Sequence, residues 1–338
     1  MVKSFRIGLL AIAVSFTAYA AGDKYANSFL EIGVGARALG MGGAFCGIAD
    51  DGHAFYWNPA GTSLLKRPRI SAMYGPQFGS VTNPLGNYHF VGYVQPLKGD
   101  VVLGLHWIRL AVDDIPVYSE LQGGSYMDRL RDRSLRPSGD PEGTINDAED
   151  AYFFTFSKRN SILADLGWLF HTVRIELPMG VNLKWIRQTI GDQSATGLGV
   201  DFGMMARLYL NDLFISDRLG WLAFGLQIQD LTRTSMRWST RRQESAERNV
   251  KWGVAYECPL PMKNNLIRIA LDHDSRDGGV RHMGLEFLGF KRFSLRIGSD
   301  GGRFTGGAGF RIKTFEVDYA FQSHSFDSLH RLGCALSF

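Results

Sequence analysis

Cysteine is scarce: Cys46, Cys258 and Cys334 are the only three in 338 residues, far apart and without a C-x-x-C pair. So scattered and odd a set is neither a disulfide framework nor a thiolate metal site, and unpaired thiols are expected. Charge of one sign is also lacking. Lys and Arg number 37 against 33 Asp and Glu, a net +4, which leaves no electrostatic footprint for nucleic acid. Beyond the N-terminus no apolar run reaches the ~18 residues of a membrane-spanning helix. Helical periodicity is rare, and neither the G-x-S-x-G elbow nor the H-E-x-x-H pair occurs. The expectation is a protein without a catalytic constellation, cofactor or resident metal.

Glycine and aromatics are abundant. Gly contributes 40 residues, about 12% of the chain, against a usual ~7%, with no collagen period. Turns and close β packing are implied. Residues 1–20 have the form of a secretory signal peptide. Lys3 and Arg6 precede an apolar stretch from Ile7 to Thr17, and Ala18-Tyr19-Ala20 supplies the small-x-small site.

From about residue 87 onward apolar residues take alternate positions. Leu177, Met179, Val181, Leu183 and Trp185 form one such face, and Phe293, Leu295 and Ile297 another. Phe315, Val317, Tyr319 and Phe321 follow, and the chain closes on Leu332, Cys334, Leu336 and Phe338. On a strand, successive side chains point to opposite faces, so each segment has one apolar and one polar or small face. About fourteen such segments occur, many of the ~9–11 residues that a tilted membrane strand needs. Connections alternate too: tight ones at 96–100, 289–292 and 313–314, long ones at 111–149 and 231–248, with 159–172 and 210–220 longer than the rule prefers. Short turns at one end and long loops at the other are the asymmetry of an outer-membrane barrel. A soluble sandwich also alternates. The even strand number, the lack of a helical cover and the terminal Phe338 favour a closed, all-β, antiparallel transmembrane barrel, residues 70–338. Its expected partners are outer-membrane lipid and, through Phe338, the barrel-assembly machinery.

The inward set is mixed in sign, including Lys184, Asp201, Arg268, Asp272, Glu286, Arg296, Asp318 and Arg331. Opposite charges can pair across adjacent strands, and no excess of one sign marks an ion-selective pore. Fourteen strands enclose a lumen wider than their own side chains fill. Residues 21–69 precede the strands and are the candidate filler, a hatch. Within them Gly33-Val34-Gly35 with Ala38 formally matches the dinucleotide fingerprint, but no βαβ unit surrounds it. Close packing, where only Gly and Ala fit, is the better reading. At Asn58-Pro59, Pro59 holds Asn58 extended and the Asn side chain can cap nearby backbone. The aspartates Asp50 and Asp51 suit a loop or cap. Asp272-His273-Asp274 with Asp277 gathers oxygen ligands for a divalent cation, although acidic residues are ordinary at a strand end.

Three stretches, Gly35-Ala36-Arg37-Ala38-Leu39-Gly40-Met41-Gly42-Gly43-Ala44-Phe45, Ala49-Asp50-Asp51 and Tyr56-Trp57-Asn58-Pro59-Ala60-Gly61, together resemble the opening of the PorV/PorQ family of outer-membrane proteins. The ending, Phe315 to Phe321 and His330-Arg331 to Phe338, resembles that family's last two strands. The resemblance implies a barrel related to the FadL-type transporters, with Gly35, Ala36, Arg37, Gly40, Gly42, Asn58, Pro59, Ala60 and Gly61 in the hatch. It implies a partner in type IX protein export, meeting secretion-system components and cargo proteins at the outer membrane. The alternative is passive, FadL-like transport of a hydrophobic small molecule. Gly52-His53-Ala54-Phe55 departs from the small-residue run of the family.

Overall fold

A computed structural model describes residues 27–338 apart from 81, 136–138, 166, 168–171, 217, 263 and 325–327. The expected signal peptide, 1–20, and the first residues of the expected hatch lie outside the described residues. One antiparallel sheet contains β1 (Arg69–Ser80), β2 (Asn83–Pro96), β3 (Val101–Val117), β4 (Gly143–Asp165), β5 (Thr172–Ile190) and β6 (Gln193–Tyr209). It continues through β7 (Trp221–Gln229), β8 (Ser235–Trp238), β9 (Gln243–Ser245), β10 (Asn249–Pro259) and β11 (Leu266–Asp274). β12 (Val280–Gly289), β13 (Phe293–Asp300), β14 (Arg303–Ile312), β15 (Phe315–Gln322) and β16 (Leu329–Ser337) complete it. The short β8–β9 hairpin pairs with the start of β6. The other fourteen strands form a ring in which β7 pairs with β10 and β16 closes on β1.

Alternation explains the two faces. On β5, Met179, Leu183 and Trp185 are exposed while Asn182 and Lys184 are buried; on β13, Leu295 and Ile297 are exposed while Ser294 and Arg296 are buried. An apolar skin of this kind around a polar interior is a lipid-facing barrel wall. The end of β16, beside the start of β1, lies with the tight turns, the periplasmic end. The strands run further than periodicity implies. β3 continues to Val117 and β4 begins at Gly143, so the long loop is 118–142 rather than 111–149. Likewise β4 reaches Asp165 and β5 starts at Thr172, and much of the expected 159–172 connection is hairpin. Polar residues extend these strands because, beyond the hydrocarbon, neither face needs to be apolar.

The hatch threads the lumen as a 3₁₀ turn (Ser28–Glu31), α1 (Ala36–Gly40), α2 (Ala54–Trp57) and a 3₁₀ segment (Pro59–Leu64). α1 lies against β13–β16, and the second 3₁₀ segment against β3–β6. Backbone meets backbone with no room for side chains. A Cβ on Gly61 would stand 1.8 Å from the Ala49 carbonyl oxygen, and one on wall residue Gly225 would stand 2.1 Å from that of Cys46. At Gly180 it would meet the Pro59 backbone at 2.4 Å, and at Gly40 the Gly307 Cα at 3.2 Å. The abundance of glycine thus has a place: two backbones pressed together.

Peptide groups inside the lumen need partners, and wall side chains supply them. Asp272 accepts from the Phe45 and Cys46 amides, both at 2.7 Å. The Asn182 amide donates to the Phe55 carbonyl at 2.8 Å, and Gln227 donates to that of Tyr56 at 2.8 Å. Asn58 behaves as expected and does more. Its Oδ1 caps the Ala60 amide at 3.2 Å, while its Nδ2 donates to Cys46 O at 3.0 Å and to Met204 O of β6 at 3.1 Å.

Ionic contacts fix the other side of the hatch. Arg37 is bidentate on Glu286 of β12, with Nε to Oε1 at 2.9 Å and Nη2 to Oε2 at 2.8 Å. Arg268 and Arg296 share the same carboxylate at 2.9 and 2.8 Å. Arg37 also binds Asp50 at 2.6 Å and Asp51 at 3.2 Å. Burial opposes the charge on Asp50, but Arg37 and Arg268 outweigh it and hold its carboxyl below the usual range.

Two outcomes are expected. Gly61→Ala overpacks the hatch at a cost of about 1–3 kcal/mol, so the barrel should keep its heat-modifiable gel migration while residues near 61 become open to limited proteolysis. Glu286→Gln removes the one carboxylate that three guanidinium groups share and should lower stability by about 3 kcal/mol, read as a lower thermal unfolding midpoint in detergent.

Candidate functional site

Above the hatch, towards the long loops, lies a chamber of about 490 Å³. Its apolar wall comes mainly from the hatch itself: Ile32, Leu39, Tyr56 and Trp57. The sequence between Gly33 and Trp57 folds so as to present these rings. The Trp57 indole N–H donates to Val34 O at 2.7 Å, and the Tyr56 hydroxyl donates to Leu30 O. Those bonds tie α2 to the chain that precedes α1. The opposite wall is charged but internally matched. Lys251 pairs with Asp274 at 2.8 Å, Arg276 with Glu31 at 3.3 Å, and His282 with Asp300 at 3.0 Å. With its charges largely paired off, the wall holds little to attract or repel a neutral guest.

The chamber touches Gln77 of β1 and Leu329 of β16, the two sides of the barrel's closing seam. There the β1–β16 ladder covers only Arg69↔Ser337 to Tyr74↔Leu332, although β1 stays paired with β2 up to Ser80↔Asn83. Pro76 accounts for the stop. Its carbonyl oxygen accepts from Arg331 Nη1 at 3.0 Å, so that edge of Pro76 faces β16, and on the same edge its ring nitrogen has no hydrogen to donate. Arg331 is buried, and its Nε and Nη2 have no partner among the described residues. Its side chain lies over Gly75, where a Cβ would stand 2.4 Å from Cδ. One side chain thus bridges a gap that ladder bonds would otherwise close.

The motif residues lie in one body inside the barrel and divide in role. Gly35 opens α1 with a φ of 91°, and Gly42 turns the chain with a φ of 67°. Ala36 and Gly40 pack on the wall and Arg37 anchors it; Asn58, Pro59, Ala60 and Gly61 form the cap at β5 and β6. No member of this set lines the chamber except Gly42. Phe338 is exposed at the end of the apolar face of β16. The Asp272–Asp274 cluster is not a joint ligand set: Asp272 holds hatch amides, Asp274 binds Lys251, and His273 stacks towards Trp252 with ring centroids 5.7 Å apart. Sequence reading missed Tyr56 and Trp57 as chamber walls. It also missed Pro76, whose signal, a proline within a strand pattern, was available.

No protein-family model and no curated protein matches the sequence. Solved structures do. The P. putida toluene transporter TodX matches over 90% of this chain and 99% of its own, with a TM-score of 0.50 and 10% identity. A Pseudomonas aeruginosa FadL homologue matches over 88% and 97%, with a TM-score of 0.42 and 10% identity. The KdgM porin in complex with disordered oligogalacturonate matches over 80% and 99%, with a TM-score of 0.32 and 8% identity. At such identity the likeness is one of fold: this chain is an outer-membrane-type β-barrel with the architecture of TodX.

Proposed function

We propose that the protein is a non-catalytic, passive conduit for small hydrophobic molecules across the outer membrane. The observation that carries this reading is the chamber, backed by hatch aromatics and reaching a seam whose ladder stops at Pro76. A molecule entering from the loop side rests on Trp57 and Tyr56, and the closely packed hatch below blocks a straight path. The seam between β1 and β16 gives it a sideways path into the membrane. TodX, of the same architecture, is described as a toluene transporter, which agrees with a small apolar guest.

A second reading, the PorV/PorQ-like role in protein export, is favoured by the loop 118–142. Tyr118, Leu121, Tyr126, Met127 and Leu130 are all exposed there, and α3 (Tyr126–Arg131) buries none of its residues. An exposed apolar surface of this kind suits a protein partner.

Continuing the β1–β16 register places Pro76 opposite His330, so Pro76→Cys with His330→Cys should form a bond across the seam. Toluene uptake into vesicles carrying the oxidised double variant should fall to the level of empty vesicles and return on reduction. Uptake at the wild-type level in both states would reject the sideways path. If the export reading holds, cells whose protein lacks residues 121–135 should accumulate cargo in the periplasm with toluene uptake unchanged; normal export would end that reading.

A further inference from the structure

The lipid-facing wall of β1–β5 is not smooth. Val91 and Trp107, directly paired across β2 and β3, stand as a ridge between two apolar grooves. The groove on the β4–β5 side encloses about 810 Å³ and is walled by Leu105, Tyr152, Phe154 and Trp185. The one on the β1–β16 side encloses about 560 Å³, with small Ala72 and Gly333 flanked by Tyr74 and Leu332.

At the loop-side end of the ridge sits a fixed cation. The Arg109 guanidinium lies over the Trp107 ring, 5.7 Å from its centroid. Asp150 holds both: Trp107 Nε1 donates to Oδ1 at 2.8 Å, and Arg109 Nη2 donates to Oδ2 at 3.1 Å. The carboxylate is behind the pair and the cation in front, with side-chain exposures of 11% for Asp150 and 41% for Arg109. His89 lines the same groove beside Arg109. Its ring is 5.3 Å from that of Tyr74.

From this arrangement we infer a seat for one molecule of phosphorylated, multiply acylated lipid of the outer leaflet, lipid A. Acyl chains occupy the grooves on either side of the Val91–Trp107 ridge, and a phosphate meets the outward N–H groups of Arg109. The charge order decides the class. A donor-only group at the loop-side end of two apolar channels complements an anionic head on more than one chain. The site lies on the outer wall, is separate from the chamber and stands whether or not the barrel transports.

Native mass spectrometry of the detergent-purified full chain tests it, with diphosphoryl lipid A, dipalmitoyl phosphatidylglycerol and dipalmitoyl phosphatidylcholine as probes. One retained lipid A is expected, in preference to either phospholipid. Arg109→Gln should weaken it about tenfold, the scale of one charge-assisted contact. Ala72→Trp, which fills the second groove and leaves the cation in place, should weaken it comparably, while Arg281→Gln, exposed elsewhere on the rim, should not. Failure to retain lipid A, equal retention of phosphatidylglycerol, or wild-type binding by both Arg109→Gln and Ala72→Trp would overturn the assignment.

Discussion

The lumen of a fourteen-stranded barrel must be filled, and here a hatch fills it with buried side chains such as Phe45 and Phe55 and, at its closest approaches, with bare backbone. Glycine lies against glycine, as where Gly40 meets Gly307, or glycine against a bare carbonyl, as where Gly225 meets Cys46. At that separation the hatch peptide groups in contact with the wall are out of reach of water. Its hydrogen-bonding needs pass to the wall, and Asp272, Asn182 and Gln227 answer them. The polar interior, which in an open pore would set selectivity, here works mainly as a set of clamps.

That constraint also explains why the chamber is where it is. In the lower lumen, beside the Arg37–Glu286 cluster, lies a polar cleft of about 220 Å³, smaller than the chamber. Above it, Trp57 and Tyr56 spread into wider space because their tips are tied back to Val34 and Leu30. A rigid floor and a ladder that stops early give the molecule one firm part and one soft part. The firm part rests on paired charges in a nearly dry setting, where loss of one partner is costly. The soft part rests on a single guanidinium.

Much of this was legible in the sequence, for physical reasons. Period-two alternation is local, so Leu183 and Trp185 declared their outward face without any knowledge of their neighbours. Asn58-Pro59 declared its cap because both effects act within a few residues. Other features were not legible. Arg37 and Glu286 are 249 positions apart, and nothing near Arg37 marks Glu286 as its partner among many wall carboxylates. Asp50 and Asp51 looked like loop residues because their cation is made adjacent only by the turn at Gly42 and Gly43. Arg331 looked like one more wall charge; that no carboxylate among the described residues reaches it depends on which residues β1 and β2 turn inward. Strand ends were misjudged where polar residues continue a ladder outside the lipid.

The hatch touches β3 to β6 at one end and β13 to β16 at the other, and its backbone is gripped on both flanks. A cork of that shape cannot be pushed into a finished ring. The cylinder has to wrap itself around a segment already captured, and the edge where the two ends of the sheet meet, β16 onto β1, has the shortest ladder of the ring. The weakest line of the wall is then the scar of its own assembly.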